Sequence, residues 1–259
     1  MGSLLNWGRS ALAVAAMCAA GASFATPVIY TGLDASPNGQ VPAEGEAATA
    51  KNEFAAATSS ASLKTESFES YAYLSTPQTL FGGTVKLQSV DEGGEGYVGK
   101  ETLVDGTTAG RFNTTPGAAS ALFWETSQSF TLTFAQAINA FGFYATDIGD
   151  FAGAILITLT GSDGTQEYTI YPDDTPARDE PNAITNGSLL FWGLVDEDFS
   201  FTSLTLKVLQ ADGQDDYVGF DDLLLANAST DPGTVPEPAT LALAGIALAG
   251  AAVTRRRRS

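Results

Sequence analysis

The chain has 259 residues and no histidine, and its 12 Lys+Arg are set against 30 Asp+Glu, a formal net charge of −18 at pH 7. Without histidine there is no Ser-His-Asp triad, Cys-His pair, imidazole zinc site or His general base, so any catalysis falls to carboxylate, tyrosine, lysine or serine-lysine chemistry. The single cysteine, Cys18, excludes an internal disulfide, and the acidic balance disfavours nucleic acid and anionic lipid as partners.

Arg9 precedes an apolar stretch from Ala11 to Ala22, and Ser23-Phe24-Ala25 places small residues at the two positions a signal peptidase reads. This pattern predicts a secretory signal peptide over residues 1–25, cut after Ala25. Met17 is too bulky for a lipoprotein signal ending at Cys18, and one arginine is not a twin-arginine signal. Residues 26–64 form an Ala-rich N-terminal segment, and residues 31–62 within it are rich in Ala, Gly, Ser, Thr and Pro, the composition of a disordered leader. Within it, the alanine-dense run from Glu44 to Ala57 predicts a short helix near 46–58. An isolated helix of that length is marginal, so Phe54 is expected to dock it on the body.

From Thr65 the pattern changes to short β segments. Phe130, Leu132 and Phe134 alternate with Thr131 and Thr133; Ile155, Ile157 and Leu159 share one face; Leu204, Leu206 and Val208 alternate with Thr205 and Lys207. Period-two alternation marks half-buried strands. Further strands are expected at Thr65–Tyr73, Thr84–Val90, Ala121–Glu125, Ala140–Tyr144, Glu167–Tyr171, Leu189–Val195 and Val218–Leu225. Turn signals such as Gly161-Ser162-Asp163-Gly164 and Asp212-Gly213 separate them. About ten short strands without a long helix between them predict an all-β, antiparallel β-sandwich over 65–227, of jelly-roll type.

Residues 228–235 form a short stalk. Pro236-Glu237-Pro238 then precedes an apolar run from Ala239 to Val253 and the cluster Arg255-Arg256-Arg257-Arg258. As a helix, that run of about 15 residues spans roughly 23 Å, short of a hydrocarbon core of about 30 Å. The arginines favour the cytoplasmic side, which puts the body across the membrane. These three parts over 236–259 resemble the PEP-CTERM sorting signal of Gram-negative bacteria. The resemblance implies transient insertion in the inner membrane, recognition by an exosortase and removal of the tail. It further implies delivery to the cell surface, outer membrane or exopolysaccharide matrix. Without Arg9, the four terminal arginines and Glu237, 7 basic and 29 acidic residues remain, a net charge of −22 for the body.

The body carries a second resemblance. Phe112-Asn113-Thr114-Thr115-Pro116-Gly117, Ala140-Phe141-Gly142-Phe143, Phe191-Trp192-Gly193-Leu194-Val195-Asp196, Phe201-Thr202-Ser203-Leu204 and Gly219-Phe220-Asp221-Asp222-Leu223 follow in this order. The series resembles many exported bacterial proteins with the same tail, and implies a sandwich similar to carbohydrate-binding and galactose-binding-like modules. In several such modules a Phe-Glu early in the chain and an Asp-Asp late in it flank a buried structural calcium. That places a candidate calcium site at Glu69 and Asp221, where two carboxylates together need a cation. The clusters Asp147 with Asp150, Asp196-Glu197-Asp198, and Asp212 with Asp215-Asp216 read as solvated loops.

Sugars stack on aromatic faces. Trp124 and Trp192 lie beside phenylalanine in apolar strands and read as core, whereas Tyr97 and Tyr217 lie in Gly- and Asp-rich segments and are the candidate glycan contacts. The expected protein is therefore exported and non-catalytic, with a structural or exopolysaccharide-binding role. Its processing partners are signal peptidase and exosortase, and calcium is its one candidate cofactor. The alternatives are a carboxylate-dependent carbohydrate-active enzyme and a ligand-free self-assembling surface protein.

Overall fold

The alternating segments fold into two antiparallel sheets that enclose one apolar layer. The computed structural model describes residues 26–35, 39–58, 62–89, 96–100, 103–104, 107–108, 110–148, 154–171, 187–209 and 217–227. The elements begin with β1 (Val28–Asp34), α1 (Glu46–Ala57), β2 (Lys64–Glu66), β3 (Thr79–Leu80), β4 (Val85–Ser89), β5 (Tyr97–Lys100), β6 (Leu103–Val104) and β7 (Thr107–Thr108). They continue with β8 (Leu122–Thr126), β9 (Phe130–Ile138), β10 (Ala140–Thr146), β11 (Ala154–Gly161) and β12 (Gly164–Ile170). The last three are β13 (Leu189–Val195), β14 (Phe201–Leu209) and β15 (Val218–Ala226).

One sheet has the order β1-β13-β10-β15-β8-β5, with β2 also paired to β15; the other has the order β12-β11-β14-β9-β4-β3, and β6 pairs with β7. Phe130, Leu132, Phe134, Ile155, Ile157, Leu204 and Leu206 from the second sheet meet Phe141, Phe143, Leu190, Trp192, Leu194 and Phe220 from the first. Phe130 stands edge-on to Phe220 with ring centroids 5.2 Å apart. On the outer face of the second sheet, polar residues meet across strands, and the Thr131 and Thr205 hydroxyls lie 2.8 Å apart.

The first sheet is covered on its outer face as well. There Ala140, Tyr144, Leu189, Phe191, Val195, Leu224 and Ala226 form a second apolar cluster with Ala47, Ala50 and Phe54 of α1. Burial on both faces explains why β13 is apolar throughout instead of alternating. The expected helix thus forms over Glu46–Ala57, with Phe54 fully buried. Its N-terminus has no local side-chain cap. Asp34 at the end of β1 caps it from a distance, accepting from the Glu46 N–H at 3.0 Å and the Ala47 N–H at 3.2 Å. Glycine is required beneath the helix: a Cβ on Gly32 would strike the Glu46 carbonyl, and one on Gly193 would stand 2.7 Å from Phe54 Cδ2.

Most expected strands form within a residue or two of their predicted bounds. Three depart further: the strand expected from Glu167 begins at Gly164, the one expected to end at Phe134 runs to Ile138, and Thr65–Tyr73 ends at Glu66. The Glu66 carboxylate accepts from the Phe68 N–H at 3.3 Å, the Tyr71 hydroxyl at 3.2 Å and the Phe81 N–H at 2.6 Å, which draws the chain into a turn. Phe68 adopts φ 59° there. The reading of the leader as disordered also missed β1, which pairs along its whole length with β13. Among the described residues, no helix is long and apolar enough to cross a membrane.

Candidate functional site

β15 is the hub of the first sheet. Its first half pairs with β8 and its second half with β2, so Asp221 and Asp222 fall between the two partners. On its other edge the register with β10 shifts between Gly142 and Tyr144, and Asp222 has φ 43°. This irregularity turns both carboxylates toward the crossing segment 112–115.

Phe112 is buried in the outer cluster, and the next three residues serve the carboxylates. Asp221 Oδ2 accepts from the Thr114 N–H at 2.7 Å, the Thr114 hydroxyl at 3.0 Å and Asn113 Nδ2 at 3.2 Å, while its Oδ1 accepts from the Asp222 N–H at 2.7 Å. Asn113 Nδ2 also donates to Glu69 Oε1 and to the Leu122 carbonyl, both at 2.7 Å. Glu69 Oε1 accepts in addition from the Leu122 N–H at 2.9 Å. The two residues expected to meet, Glu69 and Asp221, are therefore joined through one amide. That amide nitrogen has two hydrogens for three oxygens.

Asp222 is served separately, by Lys51 Nζ at 2.8 Å and the Thr115 hydroxyl at 2.8 Å. Lys51 also lies over the Tyr144 ring, 4.9 Å from its centroid. Asp221 is 1% exposed. Burial, and then the Asp222 charge, push its carboxyl well above the ordinary value of 3.8, against the hydrogen bonds from Thr114 and Asp222. Among the described residues, no three Asp, Glu, Cys or His side chains are grouped to hold one metal ion.

The second constellation contains the two predicted tyrosines. Tyr97 opens β5 and Tyr217 directly precedes β15; their ring centroids lie 6.3 Å apart with planes inclined by 58°. Both are half-buried. Arg111 lies 5.7 Å from the Tyr217 ring centroid and is held by Glu125 Oε2 at 2.8 Å and Asp147 Oδ2 at 3.1 Å. Burial, followed by the hydrogen bond to Glu125, raises the Tyr97 phenol above its ordinary range, so it remains a hydroxyl.

Two acid clusters read as solvated loops are corrected here in one member each, while Glu197 and Asp198 are exposed as expected. Asp147 and Asp196 are each 2% exposed. Asp147 pairs with Arg111 and accepts from the Gly187 N–H at 3.0 Å. Asp196 accepts from the Asp198 and Phe199 N–H groups at 3.0 Å and from the Gln166 amide at 3.1 Å. Asp150, Asp212, Asp215 and Asp216 lie outside the described residues. Trp124 and Trp192 are buried, as expected of core residues. Sequence reasoning missed Arg111, Glu66 and Lys51. Arg111 stands immediately before the Phe112-Asn113-Thr114-Thr115 series, and its being one of two arginines in so acidic a body was the available signal. Ala25 and the residues Pro236, Glu237, Pro238 and Arg255 to Arg258 lie outside the described residues.

No curated protein matches the chain. Among solved structures, the K2 cleaved adhesin domain of Lys-gingipain is similar at 16% identity, over 64% of this chain and 98% of that domain, with a TM-score of 0.40. The C-terminal family 22 carbohydrate-binding module of Clostridium thermocellum Xyn10B is similar at 11% identity, over 64% and 94% of the two chains, with a TM-score of 0.31. A family 29 carbohydrate-binding module is similar at 13% identity, over 59% and 95%, with a TM-score of 0.29. Residues 234–258 match the model of the PEP-CTERM protein-sorting motif, and the chain carries that motif on the segment that holds Pro236-Glu237-Pro238 and the four arginines.

Proposed function

We propose that this protein is a non-catalytic glycan-binding protein of the cell surface or exopolysaccharide matrix, with a sandwich of the jelly-roll kind, delivered by exosortase processing. The PEP-CTERM motif marks an exported bacterial protein sorted to the cell surface. The observation that carries the binding role is the Tyr97–Tyr217 pair. Two inclined rings, backed by Arg111 and the Glu125 carboxylate, offer apolar faces for a pyranose and polar groups for its hydroxyls. A non-catalytic role fits the carboxylates that cluster. Glu125 and Asp147 share one guanidinium, and Glu69 and Asp221 share one amide.

Calcium belongs to the same reading as a structural ion at Glu69 and Asp221. The donor chemistry fits a hard cation: Glu69 Oε1, Asp221 Oδ2 and the Leu122 carbonyl converge on the Asn113 amide nitrogen, and an ion would sit among these oxygens with the Asn113 side chain swung aside. The ion would replace the hydrogen bonds now donated by the uncharged amide with a full positive charge. Removal of the signal peptide after Ala25, removal of the tail at Pro236-Glu237-Pro238, and final residence in the outer membrane or matrix complete the proposal.

A glycan array probed with the exported protein and with Tyr97→Ala and Tyr217→Ala tests the binding role. Retained neutral polysaccharide lost in both variants is the expected result. Wild-type binding by both variants removes the tyrosine site, and sugar release from exopolysaccharide favours a carbohydrate-active enzyme instead.

A further inference from the structure

Among the described residues, three buried side-chain polar atoms have no hydrogen-bond partner: Ser75 Oγ, Trp124 Nε1 and Ser188 Oγ. The first two flank the same residue. Val98 of β5 pairs with Trp124 on one side and donates its N–H to the Ser75 carbonyl at 2.8 Å on the other. A buried donor without an acceptor is costly to a fold, so two such groups about one position need a cause.

Trp124 and Thr76, the neighbour of Ser75, line a cleft of about 320 Å³, near the lower end of the ~300–1,000 Å³ range of small-molecule sites. Its lining includes Trp124, Gly96, Thr76, Gln78, Gln88 and Ser89. It opens where the β5 edge of one sheet approaches β3 and β4 of the other. Gly96 is required at its wall, because a Cβ there would collide with Trp124 Cζ2. No described residue lining the cleft carries a charge, although the chain as a whole is strongly acidic. Tyr73 and Leu74, 55% and 59% exposed, stand on the segment that leads into Ser75 and Thr76.

We infer that this cleft is a second ligand site, for a neutral polyhydroxylated molecule such as one sugar unit. Trp124 Nε1 is itself buried, so a ligand hydroxyl would accept from it with a small shift of the indole against Gly96, and Gln88 and Thr76 would meet further hydroxyls at the rim. An anionic ligand would find no cation among the described lining residues. The inference deepens the glycan-binding reading, but Trp124 and the cleft are independent of the two tyrosines. Along β5, Tyr97 and Val98 point to opposite faces. The tyrosine pair and the cleft therefore stand on opposite faces of that strand.

The test is nitrogen-15 NMR of the indole N–H signals in the exported protein. It is titrated with the methyl glycosides of glucose, galactose, mannose and xylose, with glucuronate as the anionic comparison. Trp192 is the internal control, because it is packed on Phe143 and Tyr168 in the core. The expected result is a saturable shift of the Trp124 indole with at least one neutral glycoside, none with glucuronate and none at Trp192. Trp124→Phe, which removes the N–H and keeps an aromatic ring, should weaken binding about tenfold. Gln88→Ala alters an exposed side chain, leaves the core intact and should weaken binding several-fold, so the test survives if Trp124→Phe does not fold. A Trp124 signal unmoved by every neutral glycoside, or wild-type affinity in Gln88→Ala, overturns the inference and leaves internal water as the partner of the indole. A Trp124 shift that persists in Tyr97→Ala supports this cleft whether or not the tyrosine site stands. Binding lost in Tyr97→Ala with Trp124 silent throughout overturns the cleft and keeps the tyrosine site. If no glycoside binds anywhere, both fall.

Discussion

Replacing Phe54 with alanine tests whether the Ala-rich leader is part of the folded body. The ring is fully buried, 6.0 Å from the Tyr30 ring, 5.8 Å from the Phe191 ring and tight against Gly193. Truncating a buried phenylalanine costs about 3–5 kcal/mol when the surroundings cannot collapse. α1 is a peripheral layer held by Phe54, three small alanines, the Asp34 cap and the Lys51–Asp222 pair, so the loss is expected near the lower figure, about 3 kcal/mol. The Lys51 side chain is 27% exposed and that of Asp222 4% exposed. Lys51→Ala should therefore cost about 1–2 kcal/mol, chiefly by leaving Asp222 buried without its cation. The two effects are coupled, because a helix freed by Phe54→Ala no longer carries Lys51 to Asp222. Urea unfolding of the double variant should give a loss within about 0.5 kcal/mol of Phe54→Ala alone. Full additivity, or a Phe54→Ala cost below about 1 kcal/mol, refutes the docking of α1 as described.

Asp221 gives a pH prediction. With its carboxyl raised by burial and by Asp222, the group contributes stability that is present below its ordinary value of 3.8 and is lost as pH rises through the folded-state value. In chelator, the stability of the wild type relative to Asp221→Asn should fall over that rise; a pH-independent difference contradicts it. Calcium at neutral pH should raise the wild-type melting temperature and leave Asp221→Asn nearly unmoved, and no effect of calcium or EDTA on either protein removes the ion from the account. Arg111→Ala leaves Glu125 and Asp147 without their shared cation and should cost about 2–4 kcal/mol in urea unfolding at neutral pH, less in acid. Asp34→Ala uncaps α1 at the Glu46 and Ala47 N–H groups and should cost about 1 kcal/mol, with faster amide exchange there.

The sequence made the sandwich legible wherever a strand had one wet face. Phe130, Leu132 and Phe134 alternate with threonines that stay on the surface, and β9 forms there. β13 was expected as a strand from its run of residues between turn signals, but its burial on both faces depends on the packing of α1 and was not legible in the sequence. β1 escaped because Val28–Asp34 is irregular, with Gly32 placed for contact with α1 rather than for strand propensity. The meeting of Glu69 and Asp221 was anticipated from their motifs, but not its agent. Asn113 lies 44 residues from one and 108 from the other, and no local pattern reports a contact of that range. Asp147 and Asp196 were misread because an acid in a Gly- or Asp-rich loop looks solvated until its distant partners, Arg111 and Gln166, are known.

The sorting account is tested most directly by intact-mass measurement of the protein recovered from the cell surface. It predicts a chain that begins at Thr26 and lacks the arginine cluster, cut at or near Pro236-Glu237-Pro238. A cytosolic chain of full mass that retains Met1 and Arg255 to Arg258 would contradict it.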